Sequence, residues 1–267
     1  MKLLLVGEKI NSSRKEIKEA IEHSDANKIQ KIAKEQAQAG VNYIDVNAGL
    51  FLEQEPERLR WLVKEIQKVV DLPCCLDSPN PAALEAALEV HQGKAMLNSI
   101  SLEKERYRSL LPLIKKYGTK IVGLCLNDEG MPKNCEDRFK IASDLTERLI
   151  REGIQADDIY LDPLVQPIAT NHLMGSVILD SIARFKASFP TAHVICGLSN
   201  ISFGLPNRKL INQIFLVLAL SKGLDAVVLD PTNPKMDSCI RAAQLLLAQD
   251  EYCSEYLLAF RQGRLNY

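Results

Sequence analysis

The sequence predicts an α/β protein closed as a (β/α)8 TIM barrel, on three observations. Short, continuously apolar runs alternate with amphipathic ones along the whole chain, and eight such pairs can be counted. Runs that are apolar on both faces mark strands of a parallel sheet covered by helices. No Gly-x-Gly-x-x-Gly opens a helix anywhere, which disfavours the open, doubly wound sheet with its dinucleotide signature.

The elements follow in order. Residues 3–6 form the first strand; this apolar stretch is too short for a secretion signal, and Glu8-Lys9 interrupts it. Residues 27–39 are amphipathic and stop at Gly40, as a helix with a glycine after its end. Strand 43–46 precedes helix 55–70, and strand 74–76 precedes helix 81–90, where Asn80 followed by Pro81 makes a helix start. Strand 95–97 leads to helix 104–117, ended by Gly118, and strand 120–126 leads to helix 135–151, ended near Gly153. Strand 159–161 is followed by helix 177–189, strand 193–196 by helix 208–222, and strand 226–229 by helix 236–248. Residues 255–264 read as an extra C-terminal helix. Nothing resembles a linker, so residues 1–267 form a single domain. The long connections are 127–134, 162–175 and 197–207, all after strands, where function concentrates.

Composition narrows the function classes. A net charge of -1 gives no case for nucleic acid, and no apolar run is long enough to span a bilayer. The seven cysteines include no Cys-x-x-Cys and fall mostly in strands and helices, the usage of a reducing cytoplasm. The four histidines are scattered without metal-ligand spacing, so no metal site is expected. His172 alone lies in a loop on the predicted active face, where an ordinary hydrogen-bonding role suffices for it.

Five predicted strands end in a carboxylate or carboxamide: Asn47, Asp77, Asn98, Asp162, and the Gly197-Leu198-Ser199-Asn200 segment. In a barrel these ends share the face that carries active sites. Such residues commonly serve only as helix caps. Here another residue stands ready for that task in most cases: Asn80 after Asp77, Ser101 after Asn98, and Asn207 after Asn200. Pro163 pushes Asp162 away from helical geometry. An aspartate can accept two N–H donors from a guanidine-like edge such as that of a pterin, and an asparagine both donates and accepts. A mouth with Asp77, Asp162 and the amides Asn11, Asn47, Asn98, Asn127 and Asn200, poor in Lys, Arg and His, suits a neutral heterocycle better than a phosphate.

Placed in order, the segments Gly7-Glu8-Lys9-Ile10-Asn11, Asp45-Val46-Asn47-Ala48-Gly49, Leu76-Asp77-Ser78, Leu97-Asn98-Ser99, Asp162-Pro163-Leu164 and Gly197-Leu198-Ser199-Asn200-Ile201-Ser202 carry a resemblance through essentially the whole chain. The chain resembles the methyltetrahydrofolate–corrinoid methyltransferases of the pterin-binding barrel family. That family includes the corrinoid iron–sulfur protein methyltransferase and the folate domain of cobalamin-dependent methionine synthase. The resemblance implies a methyl group moved between N5 of tetrahydrofolate and the cobalt of a corrinoid (cobalamin) on a partner protein, with no metal in this chain and a homodimeric state. It implies pterin contacts from Asp77, Asn98 and Asp162, a pocket lined by Gly197 and Ser199, a nearby Arg208, and Asn200 beside N5. An ion pair on its own helix is the ordinary alternative for Arg208, and a turn glycine that for Gly197. A dihydropteroate synthase-like enzyme is the main alternative, disfavoured because the last strands lead to no Ser-Arg-Lys pattern or other pyrophosphate site. A non-catalytic folate-binding subunit uses the same binding residues and stays open. Zinc-dependent activation lacks its thiolate and imidazole set.

Overall fold

The computed structural model describes residues 3–265. Eight strands close a parallel barrel in sequence order, β1-β2-β3-β4-β5-β6-β7-β8, with β8 paired back onto β1. The elements are β1 (Leu4–Asn11), α1 (Lys15–Glu22), α2 (Ala26–Gln38), β2 (Tyr43–Asn47), α3 (Glu55–Gln67), β3 (Cys74–Asp77), α4 (Pro81–Leu88), β4 (Met96–Ile100) and α5 (Lys104–Tyr117). They continue with β5 (Lys120–Leu124), α6 (Cys135–Arg151), β6 (Ile159–Asp162), α7 (Met174–Ser188), β7 (His193–Gly197), α8 (Arg208–Ser221), β8 (Ala226–Leu229), α9 (Pro234–Leu246) and α10 (Ser254–Arg261). The predicted fold class and C-terminal helix are therefore present.

Two local departures matter. β1 runs on to Asn11, through a register shift between Gly7 and Ile10 against β2. Helix α1, unassigned from sequence, follows it; its Lys and Glu residues hide a buried stripe of Ile17, Ala20 and Ile21. Capping is mixed. Asn80 accepts from the Ala82 N–H at 3.0 Å, as expected. Asn207 does not cap with its side chain; it sits at φ 49°, left-handed, and only its carbonyl accepts from Leu210. Ser101 accepts from the Glu103 N–H at 3.4 Å, one step ahead of the helix it was expected to cap.

The core has two parts. Outside the barrel, alternate strand residues such as Ile44, Leu76, Leu97 and Leu161 pack against buried helix residues such as Leu62, Leu84 and Ile182. Inside it, one residue from each strand packs into an inner core staggered by the strand register, Cys75 level with Asp45 and Val122 with Asn98: Val6, Tyr43, Cys75, Met96, Val122, Tyr160, Ile195 and Ala226. The barrel is thus a packed core and not a pore. Toward the N-terminal strand ends, Lys120 Nζ donates to the Tyr160 hydroxyl at 2.6 Å, and the Tyr160 ring stacks on His193. His193 in turn sits between Asp157 and Asp225, 3.2 Å from each. This closes the bottom of the barrel and leaves the opposite end as the site.

Candidate functional site

Strand side chains alternate with period two, so the residues facing inward above that inner core lie two positions further along each strand. Adding two to each member gives Glu8, Asp45, Asp77, Asn98, Leu124, Asp162, Gly197 and Val228. These residues, staggered in the same way, form the floor of the mouth. Leu124 and Val228 pack down onto the apolar inner core, and Gly197 leaves space. The other five are four carboxyls and one amide. Three of the polar five, Asp77, Asn98 and Asp162, are residues singled out from sequence. Glu8 and Asp45 are not: both lie inside strands, where attention to strand ends overlooks them. Period-two counting from the inner apolar residues would have found both.

Burial governs their electrostatics. Asp162 is pushed up to about 7 by burial, against the opposing pull of the Leu164 N–H and the charge of Arg138. Asp77 is raised by burial and by Glu55; the amide of Asn47 and the Arg106 charge oppose the shift. Asp45, 2% exposed, is raised well above the ordinary carboxylate range by burial and then by the neighbouring Asp77. Its Oδ1 has no hydrogen-bond partner among the described residues. Glu8 is raised by burial, with Asp230 adding to the shift and Arg14 and Arg208 opposing it. Burial and a neighbouring like charge both disfavour the ionised form of a carboxyl. For Asp45 they favour the neutral form, and its contacts with the Cys75 thiol and the Asn98 amide oppose them.

The strand-end amides divide into two groups. Asn47 is not free for a ligand, contrary to the sequence expectation. Its Oδ1 accepts from Ser12 Oγ at 2.9 Å and Gly49 N at 3.0 Å, and its Nδ2 donates to the carbonyl and to Oδ2 of Asp77 at 3.1 and 3.0 Å. It orients Asp77. Asn11 and Asn127 each spend their Oδ1 on a local turn, accepting from Ser13 N and Glu129 N at 3.0 Å. Their Nδ2 donors remain. Asp162 likewise is not wholly free: its Oδ1 accepts from Leu164 N at 2.7 Å, leaving Oδ2 for another donor.

Asn200 differs. It is exposed, and its side chain has no hydrogen-bond partner among the described residues. It lies on the short 3-10 turn Leu198–Ser202 that follows β7, so the chain turns its amide back over Gly197. A Cβ built on Gly197 would stand 3.4 Å from Asn200 Nδ2, so the amide lies close over the glycine. Ser199 lies between them in the chain, and its carbonyl accepts from Arg208 Nη2 at 2.7 Å. Arg208 also donates to Ser202 Oγ at 3.1 Å. It makes no ion pair on its own helix, whose residues include no carboxylate. Arg208 secures the turn that carries Asn200. His172 is exposed in the β6–α7 connection, away from these contacts.

A cleft of about 300 Å³ opens on the β1, β7 and β8 side of the mouth, lined by residues including Glu8, Ser199, Lys209, Asn212 and Asp230. Asp77, Asn98 and Asp162 do not line it. Glu8 belongs to both floor and cleft, so the cleft continues the mouth past Asn200 and is not a second centre. A flat ring over the floor could thus extend a substituent past the β7 turn into this cleft.

The comparisons with known proteins agree with this geometry. Residues 7–230 match the family model described as pterin binding enzyme. The chain is 35% identical over 265 residues to a methylcorrinoid:tetrahydrofolate methyltransferase from Eubacterium limosum, covering 98% of both chains. It is 29% identical over 243 residues to the methionine synthase of Mycobacterium tuberculosis, covering 85% of this chain and 20% of that larger protein. Among solved structures it superimposes on Yersinia pestis DHPS with a TM-score of 0.72 at 15% identity, covering 93% of this chain and 94% of that one. A dihydropteroate synthase from Coxiella burnetii gives 0.67 at 16% identity, covering 91% and 94%. These two likenesses establish the barrel and its topology alone. With a family model spanning β1 to β8 and a full-length relative above 30% identity, the chain belongs to the pterin-binding enzymes, on the branch of the methylcorrinoid:tetrahydrofolate methyltransferases.

Proposed function

We propose that this chain moves a methyl group between N5 of tetrahydrofolate and the cobalt of a corrinoid carried on a separate protein. The observation that carries the reading is the free amide of Asn200 placed over Gly197, beside a floor of Asp77, Asn98 and Asp162. The two aspartates accept the N–H donors of the pterin's guanidine-like edge, and Asn98 completes that contact with the ring carbonyl and nitrogens. Asn11 and Asn127 offer their unused Nδ2 donors at the rim. Gly197 and Ser199 line the face of the ring, and Arg208 holds their turn. Burial and the Asp77 charge favour the neutral form of Asp45, which makes the floor less anionic than its composition suggests.

A tertiary amine leaves a methyl carbon poorly unless its nitrogen gains positive charge or a hydrogen bond. The corrinoid supplies the cobalt that exchanges the methyl group. Asn200 supplies a hydrogen-bonding amide that can follow the changing charge at N5 without being a strong acid. An interaction that strengthens only as charge develops accelerates the step, whereas one equally strong throughout does not. The same amide serves transfer in either direction.

The full-length similarity to a protein named for a methylcorrinoid and tetrahydrofolate supports a corrinoid protein as the partner. The methyltransferase reading is preferred to a dihydropteroate synthase for the same reason. For the homodimer, the exposed stripe Leu210, Ile214 and Leu218 on α8, at one-turn spacing, is a face that association would cover. Light scattering on a sizing column tests it. No described helix is long and apolar enough to cross a membrane, and all seven cysteines are free thiols, which fits a cytoplasmic site of action.

The test is a single-turnover mixture of the protein, methyltetrahydrofolate and cob(I)alamin. Loss of the cob(I)alamin absorbance in proportion to enzyme is the expected result. Tight folate binding without any methyl transfer, to free cobalamin or to a corrinoid protein, would instead make the chain a folate-binding subunit.

A further inference from the structure

Three helices that follow site strands carry, in their first turn, an arginine that forms no ion pair among the described residues. Arg106 donates Nε to the Ser99 carbonyl at 2.8 Å, Nη1 to Pro79 at 2.6 Å and Nη2 to Ser78 at 2.9 Å. Arg138 donates Nε to the Pro163 carbonyl at 2.7 Å, Nη1 to those of Pro132 and Asn134 at 3.2 Å, and Nη2 to Met174 Sδ at 3.4 Å. Arg208 does the same for Ser199. The clamped residues are not arbitrary. Ser78, Ser99 and Pro163 come directly after Asp77, Asn98 and Asp162 in the chain.

Arg138 is fully buried, which for an arginine ordinarily requires a carboxylate partner. All its acceptors are neutral, so its charge is not cancelled by contact and acts at a distance. The direction of that action is consistent: the Arg138 charge pulls Asp162 down, and the Arg106 charge pulls Asp77 down, each against burial. Asp77 also faces Asp45, Glu55 and the donating amide of Asn47, while Asp162 also faces the thiols of Cys125 and Cys196. Arg106 itself faces Glu103, and Arg138 faces Cys135 and Asp137. Each site aspartate therefore has one cation of its own.

We propose that Arg106 and Arg138 are positioning residues of the pterin site: each clamps the carbonyl next to its aspartate and stations near it a guanidinium charge that no ion-pair contact cancels, which favours the carboxylate form of Asp77 and Asp162 toward the ligand. A neutral clamp could hold the same carbonyls, but it could not supply the charge. The proposal rests on the pterin-site reading above, yet one of its measurements is independent of any ligand.

The experiment compares wild type with Arg138→Gln and Arg138→Lys. The Asp162 carboxyl is titrated in ligand-free protein by infrared difference spectra against Asp162→Asn. Tetrahydrofolate binding is measured by calorimetry across the same pH range. Arg138→Gln should move both the carboxyl titration and the acid loss of binding to higher pH, with binding near pH 7 roughly tenfold weaker. Arg138→Lys, which keeps the charge, should restore most of both. An Asp162 titration unchanged in Arg138→Gln would overturn the proposal and leave Arg138 a structural clamp. If Arg138→Gln does not fold, the same pair of substitutions at the partly exposed Arg106, read at Asp77, decides the question by the same criterion. Failure of wild type to bind folate would sink the functional reading, while the ligand-free titration would still judge the arginines.

Discussion

Replacing Asp162 by Asn should stabilise the free protein while disabling its site. The carboxyl of Asp162 stands at about 7 in the folded protein, against 3.8 for an ordinary aspartate, because burial disfavours its charged form. Between those two values the folded state holds a proton that the unfolded chain has released. Stability therefore falls as pH rises through that window and levels off above it. At about 1.36 kcal/mol per unit, the full gap amounts to roughly 4 kcal/mol. Asn removes the ionisation but keeps an oxygen that can accept from Leu164 N. At pH 8 the Asp162→Asn protein should thus be more stable by on the order of 2–4 kcal/mol. Near pH 4 the two proteins should converge. Urea denaturation of both proteins from pH 4 to 8.5 measures the difference directly. The other titrating groups are common to the two and cancel. A difference that stays constant with pH would refute the reasoning, since the whole effect is an ionisation. The same variant should bind tetrahydrofolate poorly, because with its oxygen held by Leu164 N the amide presents an N–H donor where Asp162 presents the acceptor Oδ2.

Other substitutions separate the remaining roles. Asn200→Ala should slow methyl transfer by tens- to about a thousandfold at saturating methyltetrahydrofolate while weakening folate binding less, as an amide aimed at developing charge would; stopped-flow loss of cob(I)alamin absorbance reads it, and a rate within about twofold of wild type moves the role elsewhere. Asp77→Ala should cost on the order of 2–5 kcal/mol of tetrahydrofolate binding by calorimetry, the loss expected for one partner of a buried charge-assisted pair; unchanged affinity in the folded mutant removes Asp77 from the site. Asp45→Asn should retain folate binding near wild type, because burial and the neighbouring Asp77 favour the neutral form of the carboxyl it replaces, and a loss as large as that of Asp77→Ala would mean that Asp45 binds as a carboxylate. Passage through a strong chelator should leave methyl transfer unchanged, with activity restored only by added zinc as the contrary result.

The sequence by itself determined the barrel, because period and punctuation are local. Continuously apolar strands, amphipathic helices and glycines such as Gly118, left-handed at the end of α5, need no long-range information to be recognised. It also determined that Asp77, Asn98 and Asp162 share one end, since parallel strands must all finish on the same face. Helix α1 escaped because eight residues are too few for a largely charged sequence to display its buried stripe. What each polar side chain does there was decided by the tertiary structure. Nothing local distinguishes Asn47, whose amide is committed to Asp77, from Asn200, whose amide is left free. The difference lies in contacts across strands far apart in the chain. Asp45 and Glu8 become part of the floor only because barrel closure turns alternate strand residues inward and removes them from water. Desolvation is a property of the assembled surroundings, so the raised carboxyls of Asp45 and Asp162 have no signature in the sequence. The unpaired guanidiniums of Arg106 and Arg138 come into place in the same way, through carbonyls that only the closed barrel brings within reach.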